Sequence, residues 1–358
     1  MIRYILNKTF YTLLTLFGVV TVIFFLFNVL PGDPAQMMLG QNEDSQQIAA
    51  VKAKYGFDKP ISTQYLYYLN DVSPLSFHST NPEDYTFLAN GKYSASSLFT
   101  LGQTTTVVKF PYLRESFTKQ GKKVSQVISE TLPNTAVLAV SAIFIAIILG
   151  VFLGIISALY KDRWLDKTIQ IFSTLGMSVP SFFSAILFAW CFGYVLHEYT
   201  NLEMTGSLYE LDDFGERMQI KWKNLILPAI VLGIRPLAVV IQLMRNSLLE
   251  VFNQDYIRTA RAKGLTEFQI ITRHAVKNAL NPVVTAISGW FASMLAGAVF
   301  VEYIFGWNGL GKEIVNALNT LDLPVIMGSV LIIALLFIII NIFVDIIYGW
   351  LDPKVKLE

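Results

Sequence analysis

Apolar and polar positions fall into long blocks along this chain. Five runs of more than 20 residues carry no ionisable group: between Lys8 and Asp33, Glu130 and Lys161, Lys167 and His197, Lys277 and Glu302, and Asp322 and Asp345. A sixth, Leu225 to Leu249, is apolar except for Arg235 and Arg245. A bilayer core needs about 20 apolar helical residues, so the pattern predicts six transmembrane helices in an all-α polytopic membrane protein. The first run follows Arg3 and Lys8 and ends in Leu30-Pro31-Gly32-Asp33-Pro34 without a small-residue cleavage site, which reads as an uncleaved anchor.

Charge sets the expected orientation. With the N-terminus inside, the inner segments hold thirteen Lys and Arg: Arg3, Lys8, Lys161, Arg163, Lys167, Arg245, Arg258, Arg261, Lys263, Arg273, Lys277, Lys354 and Lys356. The short outer loops hold four, Arg217, Lys221, Lys223 and Lys312. Both termini are therefore expected in the cytoplasm. Composition agrees with a membrane chain: of 358 residues, 54% are hydrophobic and 15% charged, with a mean hydropathy of +0.51. A net charge of +1 offers no field for nucleic acid. One cysteine, Cys191, and three scattered histidines, His78, His197 and His274, exclude an intrachain disulfide and a histidine-built metal site, so no metal or other cofactor is expected.

The chain divides into 1–30 (tail and first span), 31–130 (an extracytoplasmic region rich in Asn, Ser, Thr and Tyr) and 131–358 (a core of spans two to six). Val124, Val127, Ile128 and Leu132 lie at helical spacing and predict an amphipathic helix running into span two. Gly150 and Gly154 form a GxxxG in that span, which implies close helix packing.

The segment from about 250 to 281, between spans four and five, is too polar for the bilayer yet strongly patterned. Tyr256, Ile257 and Ala260 precede Gly264, while Phe268, Ile271 and Ala275 follow it at helical spacing. Two short amphipathic helices broken at the glycine are expected. Arg258, Arg261, Lys263, Arg273 and Lys277 interleave with the apolar positions, giving an apolar patch rimmed by positive charge that suits a protein partner.

Gln254-Asp255-Tyr256-Ile257-Arg258-Thr259-Ala260-Arg261-Ala262-Lys263-Gly264 resembles the cytoplasmic coupling loop of ATP-binding-cassette (ABC) importer permeases, best in the oligopeptide, dipeptide and nickel branch. Further matching strings are Leu30-Pro31-Gly32-Asp33-Pro34, Ser178-Val179-Pro180-Ser181-Phe182, Asn278-Ala279-Leu280-Asn281-Pro282 and Gly309-Leu310-Gly311. Where the general importer motif begins Glu-Ala-Ala, Arg258, Thr259 and Ala260 stand here, a substitution usual in the peptide branch. Against that branch, the stretch from about 76 to 110 reads as an insertion. The resemblance implies an inner-membrane permease that forms half of a translocation pathway. It implies a second, different permease chain, two ATP-binding-cassette ATPase subunits and an extracytoplasmic solute-binding protein as partners. Tyr256, Arg258, Ala260, Arg261, Lys263, Gly264, Leu265 and Phe268 would make up the ATPase-coupling loop.

Three features compete with that reading. Gly306-Trp307-Asn308-Gly309-Leu310-Gly311-Lys312-Glu313 matches GxxxxGK, but Glu313 stands where Ser or Thr should reach magnesium, and no strand precedes it. It reads as a glycine-rich turn, so ATP hydrolysis is expected on another chain. Arg235 lies about 15 Å into span four, where lining the translocation path and pairing with a carbonyl or polar side chain are equal alternatives. Pro180 and Pro282 remove backbone donors, and shape or hinge roles stay open for Pro180. An ion-coupled secondary transporter or channel is the rival class, but it usually needs ionisable groups deep in the spans, and Arg235 is the only one near the midplane.

Overall fold

Long apolar runs leave backbone N–H and C=O groups no water to bond, and helices answer this by closing the bonds within the segment. The computed structural model describes residues 2–29, 35, 45–82, 84–88, 92–212 and 215–351. The Leu30–Pro34 string lies outside them. Helices α1 (Ile2–Val29), α2 (Ser45–Tyr55) and α3 (Ile61–Val72) precede three strands, β1 (Leu75–Ser79), β2 (Ala95–Leu101) and β3 (Thr104–Lys109). Then come α4 (Val124–Leu159), α5 (Trp164–Ser178), α6 (Ser181–Trp190), α7 (His197–Thr200) and a hairpin of β4 (Tyr209–Leu211) and β5 (Met218–Ile220). The chain continues through α8 (Lys223–Phe252), α9 (Asp255–Ala262), α10 (Glu267–Ile270), α11 (Val276–Gly297), α12 (Val299–Phe305), α13 (Leu310–Asn319) and α14 (Leu323–Leu351).

Among the described residues four helices are long and apolar enough to cross a membrane: α1, α4, α8 and α14. The third expected span is not one helix. Residues 164–178 and 181–195 form a pair bent by 111°. Pro180 explains the break: it has no N–H to donate, and it pushes Val179 out of the helical region, to φ −79° and ψ 131°. The bent pair counts as a fifth span if it crosses as one. The fifth expected span is helical as α11, whose 22 residues extend about 33 Å, although Asn281, Thr285 and Ser288 dilute its apolar run. Pro282 sits inside it, and Pro228 and Pro236 sit inside α8 without ending that helix.

The chain forms two compact bodies. The first comprises residues 1–130 with 314–335. Its antiparallel sheet has the order β1-β3-β2, with Leu75 opposite Val108 and Leu101 opposite Thr104. The apparent insertion at 76–110 thus carries nearly all of a three-stranded sheet. Buried Asp71 organises the polar interior: Arg114 Nε donates to it at 3.0 Å, and the hydroxyls of Tyr85 and Tyr93 donate at 2.8 and 3.0 Å. Lys109 Nζ donates to the carbonyls of Asn70 and Asp71, and burial pushes its pKa down to about 8 against the pull of Asp71. Phe24 of α1 stacks on Tyr68 of α3 at 5.7 Å. The expected amphipathic start of span two is present as the first turns of α4, where Val124, Val127 and Ile128 are buried. Asp322 heads α14 and accepts from the N–H groups of Phe117 and Thr118 and the hydroxyls of Ser116 and Thr118.

The second body comprises residues 131–313 with 336–358. One apolar cluster centres on Leu138, Ala142, Leu232, Phe305 and Trp307, and another on Val240, Met244, Leu248 and Ile257. The GxxxG expectation holds. A Cβ on Gly150 would lie 2.6 Å from Val240, and one on Gly154 would lie 2.7 Å from Met244, so both glycines let α4 approach α8. Cys191 opens a π-helical turn that extends α6, and among the described residues no group of His, Cys, Asp and Glu could hold a metal ion.

Candidate functional site: the loop between α8 and α11

Asp255 opens α9 after Gln254, whose extended backbone marks the helix start. The helix ends in a Schellman motif: Gly264 N–H donates to the Arg261 carbonyl at 2.9 Å, and Leu265 N–H reaches back to the Ala260 carbonyl at 3.3 Å. Gly264 adopts φ +82°, where a side chain is strained, and open space surrounds the place a Cβ would occupy. Thr266 then starts α10 with a capping box. Its hydroxyl accepts from Gln269 N–H at 3.3 Å, and the Gln269 side chain accepts from Thr266 N–H at 3.1 Å. The second expected helix is therefore a single α turn, which runs through a π-helical turn (Ile271–Ala275) straight into α11.

The loop's apolar residues divide. Ile257, Ala260, Ile270 and Ala275 are buried, in a cluster with Met244 and Leu248 of α8 and Ala279 and Val283 of α11, and Leu265 packs against it. Ile257, Ala260 and Ala275, which the sequence reading put in a partner-facing patch, are thus inside the chain's own core. The reason is spacing: residues 257 and 260 share one face of α9, and that face meets α8 and α11. What remains outside is Tyr256 at 40% exposure and Phe268 at 75%, with Arg258, Arg261, Lys263 and Gly264. Arg258 faces Asp255 at 3.4 Å and Arg261 faces Glu267 at 3.0 Å, both on the surface, where such pairs contribute little. Lys263, Arg273 and Lys277 have no ion pair among the described residues. Tyr256 accepts a hydrogen bond from Asn278 Nδ2 at 2.8 Å, which ties the loop to the first turn of α11. The result is a rigidly held ridge bearing two exposed aromatic rings among cations.

At the other candidate position, Arg235 lies on α8, exposed, with no hydrogen bond or ion pair among the described residues. Structural pairing within the chain, one of the two alternatives for it, is therefore not seen there. It borders a cavity of about 90 Å³ with Ser181, Ser184, Trp290 and Ser293. The sequence signal for these neighbours was Pro180, whose break turns α6 at this point.

The glycine-rich turn after α12 is already filled. The Glu302 carboxylate accepts from the N–H groups of Gly311 at 2.7 Å and Lys312 at 3.2 Å, which is where a phosphate-binding loop would hold a phosphate. Lys312 Nζ folds back onto the Gly306 carbonyl at 3.0 Å and Asn308 Oδ1 at 2.8 Å. A helix, α12, precedes the turn where a P-loop has a strand.

Two family models match. "Binding-protein-dependent transport system inner membrane component" covers residues 150–357, and the corresponding N-terminal model covers residues 1–82. A putative peptide permease protein of Brucella suis is 33% identical over 359 residues, covering all of both chains. The dipeptide transport system permease protein DppB of Alkalihalophilus pseudofirmus is 32% identical over 369 residues, 99% of this chain and all of that one. A chain of the MetNI methionine ABC transporter, in an inward facing conformation, gives a TM-score of 0.49 at 15% identity over 64% of this chain and 97% of that one. With its full-length relatives among peptide permeases and its family model spanning the loop and the helices around it, this chain belongs to the binding-protein-dependent transport system inner membrane components and is a permease of the ABC importer class.

Proposed function

We propose that this chain forms half of an ATP-driven import pathway for peptides, beside a second, different permease chain, and that its α9–α10 ridge docks on one of two ATPase subunits. An extracytoplasmic solute-binding protein delivers the solute. The observation that carries this reading is the division of the loop: Ala260 and Leu265 hold it from inside, while Tyr256, Arg258, Arg261, Lys263, Gly264 and Phe268 stay on its surface. A loop anchored by buried residues on both α8 and α11 passes a push from a docked partner into two apolar helices rather than absorbing it. The peptide or dipeptide naming of the relatives supports the solute class.

Reconstitution tests the reading. The purified chain alone should hydrolyse no ATP, since its only P-loop-like string holds Glu302 in place of phosphate. Added ATPase subunits, partner permease and loaded binding protein should give ATP-dependent peptide uptake. Hydrolysis by the isolated chain that disappears in Lys312→Ala would overturn the assignment of ATP chemistry to other chains. Uptake driven by a sodium or proton gradient without ATP would favour the ion-coupled class.

Topology follows from the distribution of Lys and Arg, with both termini and the α9–α10 ridge in the cytoplasm and the β1–β3 sheet outside. Reporter fusions at Gly102, in the β2–β3 turn, and at Lys263 should score on opposite sides of the membrane. The same side at both positions would refute this orientation.

A further inference from the structure

The bend at Pro180 and the lone Arg235 meet at one cavity. Helix α6 starts there at Ser181, and the preceding Pro180 provides no side-chain cap, so the first-turn N–H groups that every helix leaves open are not closed off by a side chain. Ser184, one turn on, is only 8% exposed and lines the cavity, yet its hydroxyl makes no hydrogen bond among the described residues. Arg235, equally without a partner among the described residues, lines the same cavity from a helix otherwise apolar at that depth. Val231, Leu232 and Met294 supply apolar wall. An uncapped helix start, the unbonded hydroxyl of a buried serine and an unpaired guanidinium bring three donors to one cavity whose lining carries no carboxylate. They call for an anion.

The cavity's volume of about 90 Å³ exceeds the roughly 10–15 Å³ that one water needs on the same measure, so it has room for a carboxylate group. Guanidinium is the donor whose planar fork matches a carboxylate. We propose that this cavity is a station on the translocation path that receives the free C-terminal carboxylate of the passing peptide, held by Arg235, the Ser184 hydroxyl and the start of α6. This deepens the peptide-importer reading and rests on it.

The test uses the complete reconstituted importer in proteoliposomes, with binding protein preloaded to saturation with either a peptide acid or the same peptide as its C-terminal amide. Both are confirmed beforehand to bind that protein. In the wild type the acid should enter at least about tenfold faster than the amide, and this ratio should collapse toward one in Arg235→Gln. Arg235→Lys should keep part of the preference, and Ser184→Ala should reduce it. Co-purification of the ATPase subunits with each variant confirms assembly. An unchanged ratio in Arg235→Gln overturns the proposal. So does an equal slowing of acid and amide, which is the outcome expected if Arg235 meets a carboxylate of the second permease chain or a lipid headgroup. A wild-type complex that takes up both peptides without preference removes the carboxylate station and leaves the importer reading standing. Failure of the wild type to take up either peptide with ATP removes both.

Discussion

Arg245→Ala is expected to destabilise the second body by about 3–5 kcal/mol, the cost typical of breaking one side of a buried ion pair. Arg245 on α8 grips Asp166 in the first turn of α5 with both ends of its fork, Nη2 to Oδ2 at 2.6 Å and Nε to Oδ1 at 2.8 Å. The same carboxylate accepts from the Ser157 hydroxyl of α4 at 2.5 Å and from the N–H of Asp162, in the α4–α5 connection, at 2.9 Å. Gln170 donates in turn to the Ser157 hydroxyl at 3.1 Å. Three helices are thus tied through one carboxylate that is almost wholly buried. Without the guanidinium, Asp166 stays buried but loses its counterion. Arg245→Lys should recover only part of the loss, because an ammonium cannot match both oxygens. Thermal unfolding of the detergent-solubilised chain reads the effect in a cycle of Arg245→Ala, Asp166→Asn and the double variant. Additive losses would show that the two side chains do not act as a pair.

Gly264→Asp should abolish, or nearly abolish, peptide uptake while the spans still insert. The substitution forces a branched residue into φ +82°, at a cost of about 1 kcal/mol, which is modest because Asp tolerates the left-handed region better than most residues and nothing crowds the site. Stability loss therefore cannot account for a complete failure of transport. The larger effect comes from the negative charge, placed beside Lys263 in the middle of the exposed ridge and aimed at whatever the ridge meets. Gly264→Asn separates the two causes: it brings the same strain without the charge, so it should retain more transport. Membrane abundance, ATPase co-purification and uptake measured in the same cells decide the matter. Normal uptake by an abundant Gly264→Asp chain with its ATPase still bound would end the coupling role of this turn.

The break in the middle of this ridge was legible because a Schellman ending needs a residue that accepts positive φ, and glycine after a basic amphipathic turn announces one. The burial of Ile257 and Ala260 was not legible, since periodicity shows that residues share a face without saying what the face meets. The sheet at residues 75–109 was hidden for a related reason. Lys109 of β3 bonds into a network around Asp71 with Tyr85, Tyr93 and Arg114, polar residues that read as solvent-facing until the fold brings them together.

By itself the sequence determined the membrane character, the location of the apolar helices, the close contact at Gly150 and Gly154 and, through its ordered motifs, the family. These follow from local quantities: twenty apolar residues must close their own hydrogen bonds in lipid, and a small residue every four positions lets another helix approach. Only the tertiary structure decided that residues 164–195 bend by 111°, that Glu302 fills the phosphate-like turn, and that Arg235 lines one cavity with Ser184 and the start of α6. Asp166 and Arg245 lie 79 positions apart in the chain, so no local pattern could join them. A buried charge finds its partner through packing in three dimensions, and the sequence records only that both are present.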